Sequence, residues 1–328
     1  EKPKVRISVR NLVEFILRSG DLDNSRGSSG DKEAMLKGGR LHRKIQRSMK
    51  GNYQAEVSLK RESEYEDVII QVEGRADGIF TEDGEFWIDE IKGTYGNLQA
   101  MEVPVPVHRA QAMCYGWIYG EKEGLSQIGI QMTYSHLDTE DTRRFREIFS
   151  MEELKNWYQK LLDDYHKWIS CSLSWKKERN ASMKDLQFPF PYREGQREIV
   201  SGVYHTVSSK KTLFVQAPTG VGKTMSAIFP SVRAIGEGKG ETLFYLTAKT
   251  ITGTVAWEAF HTLRENGLKF KVTAITAKEK LCFLDSPECT PEKCPYAKGH
   301  FDRVNDAVYE LWTTEEVYSR EVIRAHAE

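Results

Sequence analysis

The chain has 328 residues, of which 47 are Lys or Arg and 48 are Asp or Glu, so the formal net charge is -1. Hydrophobic residues make up 39% of the chain, and 10 residues are proline. This apolar content excludes a disordered or collagen-like chain, and no run approaches the ~20 apolar residues of a membrane-spanning helix. At roughly 100–200 residues per domain, the length predicts two domains, or one domain and a fragment.

Net charge and cysteine content give predictions about nucleic-acid binding and about the cellular compartment. A charge near zero predicts no strong attraction of the whole chain to nucleic acid, although a local basic patch can still bind it. The first residues, Glu1 to Lys4, include no apolar signal region and no initiator Met, which predicts no secretion signal and a trimmed start. Five cysteines in a chain of this length predict a cytoplasmic protein with reduced thiols.

The first half of the chain reads as an α+β unit. Apolar periodicity predicts a helix over residues 9–16, a polar loop over 21–31 and a second helix ending near Gly51. Four strands are predicted next, and their ranges are 55–59, 68–72, 76–80 and 86–91. A helix over 107–118, two strands over 128–134 and 143–149 and a long amphipathic helix from 154 to 168 complete the unit.

The second half has a different pattern of predicted secondary structure. A polar, basic stretch over 170–184 indicates a linker, placed at 171–187. Apolar strands over 212–216, 242–246 and 272–275 then alternate with helical segments, as in a parallel sheet. The predicted class is therefore mixed α/β, with an α+β domain over 1–170 and a partial parallel-sheet domain over 188–328.

A phosphate-binding loop follows the predicted strand over 212–216. The sequence of residues 217–224 is APTGVGKT, in which Thr219, Gly220 and Gly222 would let backbone N–H groups surround phosphate oxygens at a helix N-terminus. Lys223 would reach the β- and γ-phosphates, and the Thr224 hydroxyl would hold Mg²⁺. The stricter motif begins with Gly where this chain has Ala, a departure that indicates a helicase-type subclass of ATP site. The alternative is a chance glycine-rich turn.

Two residues upstream of this loop could contact the adenine of a bound nucleotide. Arg193 and Gln196 lie in the segment YREGQ before the P-loop strand. An amide can both donate and accept, so Gln196 could bind the adenine edge together with Arg193. The alternative is an ordinary exposed helix face.

Carboxylates and a lysine recur at the ends of two neighbouring predicted strands. Asp77 ends one strand, and Glu90 followed by Lys92 ends the next. Neighbouring strands would place the two carboxylates side by side as a site for Mg²⁺ or Mn²⁺, and Lys92 shares the face of Glu90. Such a site can activate water and stabilise a phosphoryl transition state. The alternative is a solvated ion pair on a strand.

Three further residues complete this predicted site. His42 on the preceding helix could supply an imidazole, which favours Mn²⁺ over a purely oxygen-ligated site. Gln111 and Tyr115 are four residues apart on one helix and could contact substrate phosphates. A lone histidine is also commonly a surface or core residue without a ligand role.

The ordered set resembles the RecB-type branch of the PD-(D/E)xK nucleases. The resembling stretches are GGRLHRKIQ, GRADGIF, IDEIKGT and HRAQAMCYGWIYG, and they span a restriction-endonuclease-like domain of about 170 residues. The resemblance implies that His42, Asp77 and Glu90 bind metal and that Lys92 is catalytic together with the two carboxylates. It also implies that Gln111 and Tyr115 position DNA. The cysteines that hold an iron–sulfur cluster in some members have no counterpart, because Cys114 and Cys171 do not match them.

Three cysteines lie close together after the P-loop. Cys282, Cys289 and Cys294 have the spacing Cys-x6-Cys-x4-Cys within polar flanks. Thiolates at such a spacing suit an iron–sulfur cluster or a metal ion. Zinc is the alternative, with His300 as a fourth ligand.

The second half resembles the XPD/DinG-type superfamily 2 DNA helicases. The resembling stretches are YREGQREIV, FVQAPTGVGKT, LFYLTAKT and KEKLCFLDSPECTPEKCPYAKGHFDRV. The resemblance implies a RecA-like motor lobe into which a 4Fe-4S domain is inserted from about residue 276, with the fourth cysteine beyond Glu328. It also implies that Thr247 and Lys249 contact single-stranded DNA and that the complete motor moves 5′ to 3′.

No DExH-type acidic motif and no second motor lobe follow the P-loop. The expectation is therefore the N-terminal part of a longer helicase–nuclease, which binds ATP weakly, cleaves DNA and does not unwind it. Two alternatives remain: a non-catalytic DNA-binding module with a nucleotide switch, and a zinc-containing P-loop NTPase.

Overall fold

The structure, a computed structural model, describes residues 2–25, 32–49, 51–248, 250–285 and 288–327. It divides into two units: residues 1–170 with 284–306, and residues 171–283 with 307–328. The predicted mixed α/β class is confirmed. No helix in the described ranges is both long enough and apolar enough to cross a bilayer.

The first unit is organised around a six-stranded mixed sheet. Its elements are β1 (Lys4–Ser8), α1 (Val9–Ile16), α2 (Lys32–Ser48), β2 (Gln54–Glu64), β3 (Ile69–Glu82), β4 (Glu85–Thr94), a 3-10 turn (Leu98–Ala100), α3 (Pro106–Glu123), β5 (Gln127–His136), β6 (Thr142–Ser150) and α4 (Met151–Lys184). The strand order is β1-β3-β4-β5-β6, with β2 also paired to β3. Strands β1 and β3 are parallel, as are β4 and β5, and the other pairs are antiparallel.

Strand β3 is a long central strand with two different neighbours along one edge. Residues 69–73 pair with β1, whereas residues 78–82 pair with β4. The sequence predicted two separate strands here, because Gly74 between the two apolar runs suggested a turn. Gly74 instead lies inside β3, as does Gly78, and each accommodates a tyrosine ring, from Tyr115 and Tyr53 respectively. Strand β1 was not predicted.

Helix α3 packs across the sheet and is buried along residues 110–120. It begins with Pro106, whose fixed φ suits the first helical turn, and ends at Gly124 in the left-handed region. Because this helix contacts β4 and β5, it carries Gln111 and Tyr115 to the buried face of the sheet.

The predicted linker is helical. Helix α4 continues through residues 170–184, a stretch without Gly or Pro to end it. Met183 is completely buried in the second unit's apolar core, which stabilises the last turns of the helix. The stretch that its polarity indicated as a linker is therefore helical in the structure.

The second unit consists mainly of helices around an apolar core. Its elements after α4 are α5 (Gln196–Ser209), α6 (Lys223–Gly236), α7 (Thr250–Glu265), β7 (Val272–Thr273), α8 (Lys278–Leu281), α9 (His300–Thr314), β8 (Val317–Tyr318) and α10 (Arg320–Ala327). Helices α6 and α7 supply most of the buried core side chains, including Ile228, Val232 and Leu263. The first residues of α9 belong to the first unit.

The predicted parallel sheet is largely absent from the described part of this unit. Residues 212–216 and 242–246 form no strand, and Phe214 and Leu246 are 93% and 87% exposed. Only β7 and β8 pair, in parallel, over two residues each. A β-strand requires backbone hydrogen bonds to a neighbouring strand, and no described segment forms such bonds with residues 212–216 or 242–246. The restriction-endonuclease-like and RecA-like arrangements thus remain predictions.

Residues 284–306 pack in the first unit, although the sequence assigned them to the motor lobe over 188–328. Main-chain bonds connect this segment to residues 20–24, from the Leu22 N–H to the Ala297 carbonyl and from the Phe301 N–H to the Gly20 carbonyl, each 2.9 Å. Side chains add to them, since Asp21 Oδ1 accepts from the Gly299 N–H at 2.6 Å.

Candidate functional site

The sheet opens at Asp77, where the hydrogen-bond ladder is interrupted. Residues 74–77 lie between the parts of β3 that pair with β1 and with β4. Opposite Asp77 on β2, Glu56 has a φ of 59°, a left-handed conformation that removes it from the regular register. The backbone of Asp77 therefore needs other hydrogen-bond partners.

The Gln46 side chain bonds the Asp77 backbone, and strand β4 and helix α2 contact the Asp77 carboxylate. Gln46 Nε2, on α2, donates to the Asp77 carbonyl oxygen at 2.9 Å. The Ile91 N–H of β4 donates to Asp77 Oδ2 at 2.7 Å, and His42 Nδ1 lies 3.6 Å from Asp77 Oδ1. The sequence interpretation found His42 but missed Gln46, although the two are four residues apart and thus share one helix face.

Glu90 and Lys92 form the second half of the site. Lys92 Nζ lies 2.7 Å from Glu90 Oε1 and donates to Gln111 Oε1 at 2.9 Å. Glu90 is 5% exposed, and its Oε2 has no hydrogen-bond partner in the described structure. Burial raises the pKa of Glu90 to about 7, against the attraction of the Lys92 ammonium.

Gln111 and Tyr115, predicted to contact DNA, are both buried in the structure. Gln111 fixes the Lys92 ammonium, and the Tyr115 hydroxyl lies against Gly74. Burial raises the pKa of Tyr115, so its phenol stays protonated. In this structure the two side chains contact Lys92 and β3, so they hold the residues of the site in position.

A second polar group lies on the opposite face of β4, because Asp89 precedes Glu90. Asp89 is fully buried and accepts from Thr133 Oγ1 at 2.6 Å, Gln131 Nε2 at 3.0 Å and the Tyr53 hydroxyl at 3.0 Å. Burial raises its pKa, and these three hydrogen bonds oppose the rise. The sequence interpretation missed this network, for which the adjacent Asp-Glu pair was the one available signal.

The structure gathers the predicted metal ligands only in part. His42 and Asp77 are neighbours, whereas Glu90 contacts Lys92. In the described ranges, no three His, Cys, Asp or Glu side chains are close enough together to hold a metal ion.

The three cysteines of the predicted cluster are divided between the units. Cys282 belongs to the second unit, and Cys289 and Cys294 belong to the first. None of the chain's five cysteines, all of which are described, forms a disulfide. His300, the alternative zinc ligand, begins α9. The iron–sulfur cluster, with zinc as its alternative, remains a prediction from spacing and resemblance.

The P-loop has a defined geometry at the start of α6. Gly220 and Gly222 have φ values of 84° and 82°, which glycine adopts without strain. Lys223 Nζ donates to the carbonyl oxygens of Ala217 and Pro218 at 2.9 and 2.8 Å. Its ammonium is thus held above the loop, where phosphate oxygens would compete for it. Thr219 precedes the two glycines in the same turn.

The upstream residues Arg193 and Gln196 lie against this loop. Arg193 Nη1 donates to the Gly220 carbonyl, and Gln196 Oε1 accepts from the Arg193 N–H at 3.0 Å. Gln196 Nε2 would lie 2.6 Å from any Cβ at position 222, so this close approach requires a glycine. In this geometry Gln196 is buried and braces the loop.

The predicted DNA-contacting segment lies beside the P-loop threonine. The Tyr245 hydroxyl is 3.2 Å from Thr224 Oγ1, and the exposed Thr247 follows two residues later. Lys249 lies outside the described residues. Sequence reasoning did not single out Tyr245, which brings this segment to the predicted Mg²⁺ ligand.

Comparison with known proteins gives a local similarity. No protein-family model matches the chain. The chain is 40% identical over 47 residues to the probable ATP-dependent helicase MJ0942 of Methanocaldococcus jannaschii, covering 14% of this chain and 7% of that protein. A solved structure described as "Crystal structure of SSO0001" overlaps 48% of this chain and 75% of its own, with a TM-score of 0.32 and 21% identity. Over a short stretch, the chain is therefore similar to an ATP-dependent helicase.

Proposed function

We propose that the first unit is a metal-dependent deoxyribonuclease and that the second unit binds ATP as part of a helicase motor acting on single-stranded DNA. The observation that carries the nuclease proposal is the Glu90 carboxylate. One of its oxygens contacts Lys92, and the other is buried without a partner. An unsatisfied buried oxygen is costly, and a cation is the partner that best offsets that cost.

The donor set suits Mg²⁺ or Mn²⁺ in its chemistry, since Asp77 and Glu90 would supply carboxylate oxygens and His42 an imidazole. A bound ion would lower the pKa of a water and polarise a phosphoryl oxygen. The chain's own residues prepare the site. The Ile91 N–H orients Asp77, and Gln111 holds Lys92 where its ammonium can donate to a phosphate oxygen.

The nuclease proposal is tested with labelled single-stranded DNA incubated with Mn²⁺, Mg²⁺ or EDTA. Asp77→Asn and Lys92→Ala are each expected to lower the Mn²⁺-dependent rate by about 100-fold or more, because each removes charge stabilisation at the reacting phosphate. Glu64→Gln is the matched control, since this exposed carboxylate pairs with Lys2 at the other end of β2 from Glu56, the residue opposite Asp77. Equal cleavage by wild type and both site variants would refute the assignment.

ATP binding is tested separately with a fluorescent ATP analogue and Mg²⁺. Lys223→Ala should abolish saturable binding, because this ammonium is the loop's phosphate-binding charge. Lys211→Ala, an exposed lysine before the loop, is the control and should bind as wild type does.

A non-catalytic DNA-binding module with a nucleotide switch is the second candidate. It is favoured by the separation of the predicted ligands, because no described trio of His, Cys, Asp or Glu encloses an ion. Metal titration separates the two functions, since a binding module would hold DNA without Mn²⁺-dependent cleavage. Metal analysis tests the cysteine segment, because an iron–sulfur protein absorbs near ~400 nm and a zinc protein is colourless.

A further inference from the structure

A polar cavity lies at the carboxyl ends of two parallel strands of the first unit. It has a volume of about 710 Å³, and its lining includes Tyr95, Asn97, Gln99, His136, Asp141 and Arg143. This volume lies within the roughly 300–1,000 Å³ of small-molecule sites, and ligands of α/β sheets commonly bind beyond the carboxyl ends of strands. Thr94 and His136 are partners at the ends of β4 and β5, so the cavity continues from the sheet itself.

The cavity is close to the proposed nuclease site along the chain. Tyr95 follows Lys92 by three residues, and an extended strand rises about 3.3 Å per residue. Lys92 and Tyr95 are therefore about 10 Å apart along the chain, close enough for one nucleic-acid strand to reach both.

Tyr95 gives the cavity an accessible aromatic ring. Its side chain is 51% exposed, and the His136 ring meets it edge-on with a centroid distance of 6.4 Å. The Lys37 ammonium lies 5.9 Å from the Tyr95 ring centroid. An exposed ring beside a cation is the combination with which proteins stack bases of single-stranded nucleic acid.

Hydrogen-bond donors line the same cavity. Arg143 Nη1 donates to the Leu98 and Gln99 carbonyl oxygens, both at 3.0 Å, which fixes the guanidinium and leaves Nε and Nη2 without a partner in the described chain. His136 Nδ1 accepts from the Asp138 and Thr139 N–H groups, so the neutral ring carries its proton on Nε2 as a donor.

An acceptor balances these donors. Asp141 Oδ2 accepts from Thr139 Oγ1 at 2.7 Å, and this carboxylate would repel a free phosphate ion. Donors, one acceptor and an aromatic ring together suit a nucleobase, which has both kinds of hydrogen-bonding edge and a flat face.

We propose that this cavity binds a nucleobase of a single-stranded nucleic acid, with Tyr95 as its stacking platform and Arg143 and His136 as donors to its edge. The location of the base site near the scissile phosphate rests on the proposed nuclease function. The base site itself does not, because its residues are separate from Asp77, Glu90 and Lys92.

The test measures binding of fluorescein-labelled dT12, dU12 and rU12 to the full chain in EDTA by fluorescence anisotropy. Tyr95→Ala is expected to weaken binding by about 5- to 100-fold, the loss associated with one stacked base. Tyr95→Phe keeps the ring and should bind within about twofold of wild type. Ile148→Ala removes an exposed apolar side chain of β6 outside the cavity and is the matched control. Equal weakening of dT12 and rU12 identifies the base as the ligand. A loss that occurs with both dT12 and dU12 but not with rU12, or with rU12 alone, means that the sugar is recognised and overturns the base assignment.

A second measurement changes the nucleic acid and compares wild type with Tyr95→Ala. Moving one abasic residue along dT12 should weaken wild-type binding at one position and have little effect on Tyr95→Ala. The base site is overturned if Tyr95→Ala binds dT12 as wild type does, or if wild type does not bind it. The nuclease proposal fails in a different way: wild type would show no Mn²⁺-dependent cleavage, while Tyr95→Ala would still weaken binding.

Discussion

Gly78 is the position at which a single methyl group should most disturb the strands that carry the site. A Cβ built at Gly78 would lie 1.9 Å from the Tyr53 hydroxyl oxygen and 2.0 Å from Tyr53 Cζ, distances that no real contact reaches. In the variant Gly78→Ala the Tyr53 ring must therefore move. Because Asp77 precedes Gly78 and Glu90 is next to Asp89, the displacement falls between the two strands that carry the proposed site.

The cost follows from the contacts that Tyr53 would lose. Its hydroxyl donates to Asp89 Oδ2 at 3.0 Å, and a hydrogen bond to a carboxylate contributes about 1.5–3 kcal/mol. Its ring stacks on Phe80 with a centroid distance of 5.9 Å, which contributes about 0.5–1.5 kcal/mol. Gly78→Ala should accordingly lower the free energy of unfolding by about 2–4 kcal/mol.

Urea denaturation followed by circular dichroism measures this loss, together with the rate of Mn²⁺-dependent cleavage. Gly39→Ala, in α2, is the matched control, since its Cβ would meet only the flexible end of Arg43 at 3.7 Å. That substitution should stabilise by about 0.5–1 kcal/mol. In a Tyr53→Ala background the cost of Gly78→Ala should nearly vanish. An undiminished cost in that background would refute the explanation by a clash with the tyrosine.

Three further outcomes are expected. Burial, with the nearby cations Lys92 and Arg10, lowers the pKa of His108 to about 4, so the unfolded chain binds the extra proton first and stability falls as the pH drops from 6.5 towards 4. His108→Gln should reduce that fall by about 2–3 kcal/mol in urea titrations at pH 7.5 and 4.5. Burial raises the pKa of the Cys114 thiol, so a thiol reagent at pH 8 should modify it only after denaturation, and native labelling as fast as that of Cys171 would contradict its burial. Gln196→Ala should weaken ATP-analogue binding by about 2- to 10-fold, because the amide that braces the P-loop is lost, and unchanged affinity would exclude that role.

Much of the site was predictable because its signals are local. The P-loop was readable from eight consecutive residues, since glycine, lysine and threonine at that spacing already define a phosphate cradle. The shared face of Glu90 and Lys92 follows from the period-two alternation of a strand. The boundaries of α1 likewise follow from apolar periodicity, whereas α3, predicted over 107–118, continues to Glu123.

Other features were unpredictable because they depend on partners distant in sequence. Gly74 suggested a turn, and only the position of Tyr115 explains why a glycine lies there inside a strand. Gln46 donates a hydrogen bond to the Asp77 carbonyl, 31 residues away, at a point where the strand pairing is interrupted. The polar stretch over 170–184 is helical because Met183 reaches a core formed by later residues.

The sequence by itself therefore determined the chemical groups and their local order: two carboxylates and a lysine on strands, and a phosphate loop before a helix. Tertiary structure decided which groups meet. It brought His42 and Gln46 to Asp77, set Gln196 against Gly222 and assigned Cys282 to a different unit from Cys289 and Cys294. Side-chain periodicity is a property of a few consecutive residues, whereas strand pairing and burial depend on segments that the chain brings together only when it folds.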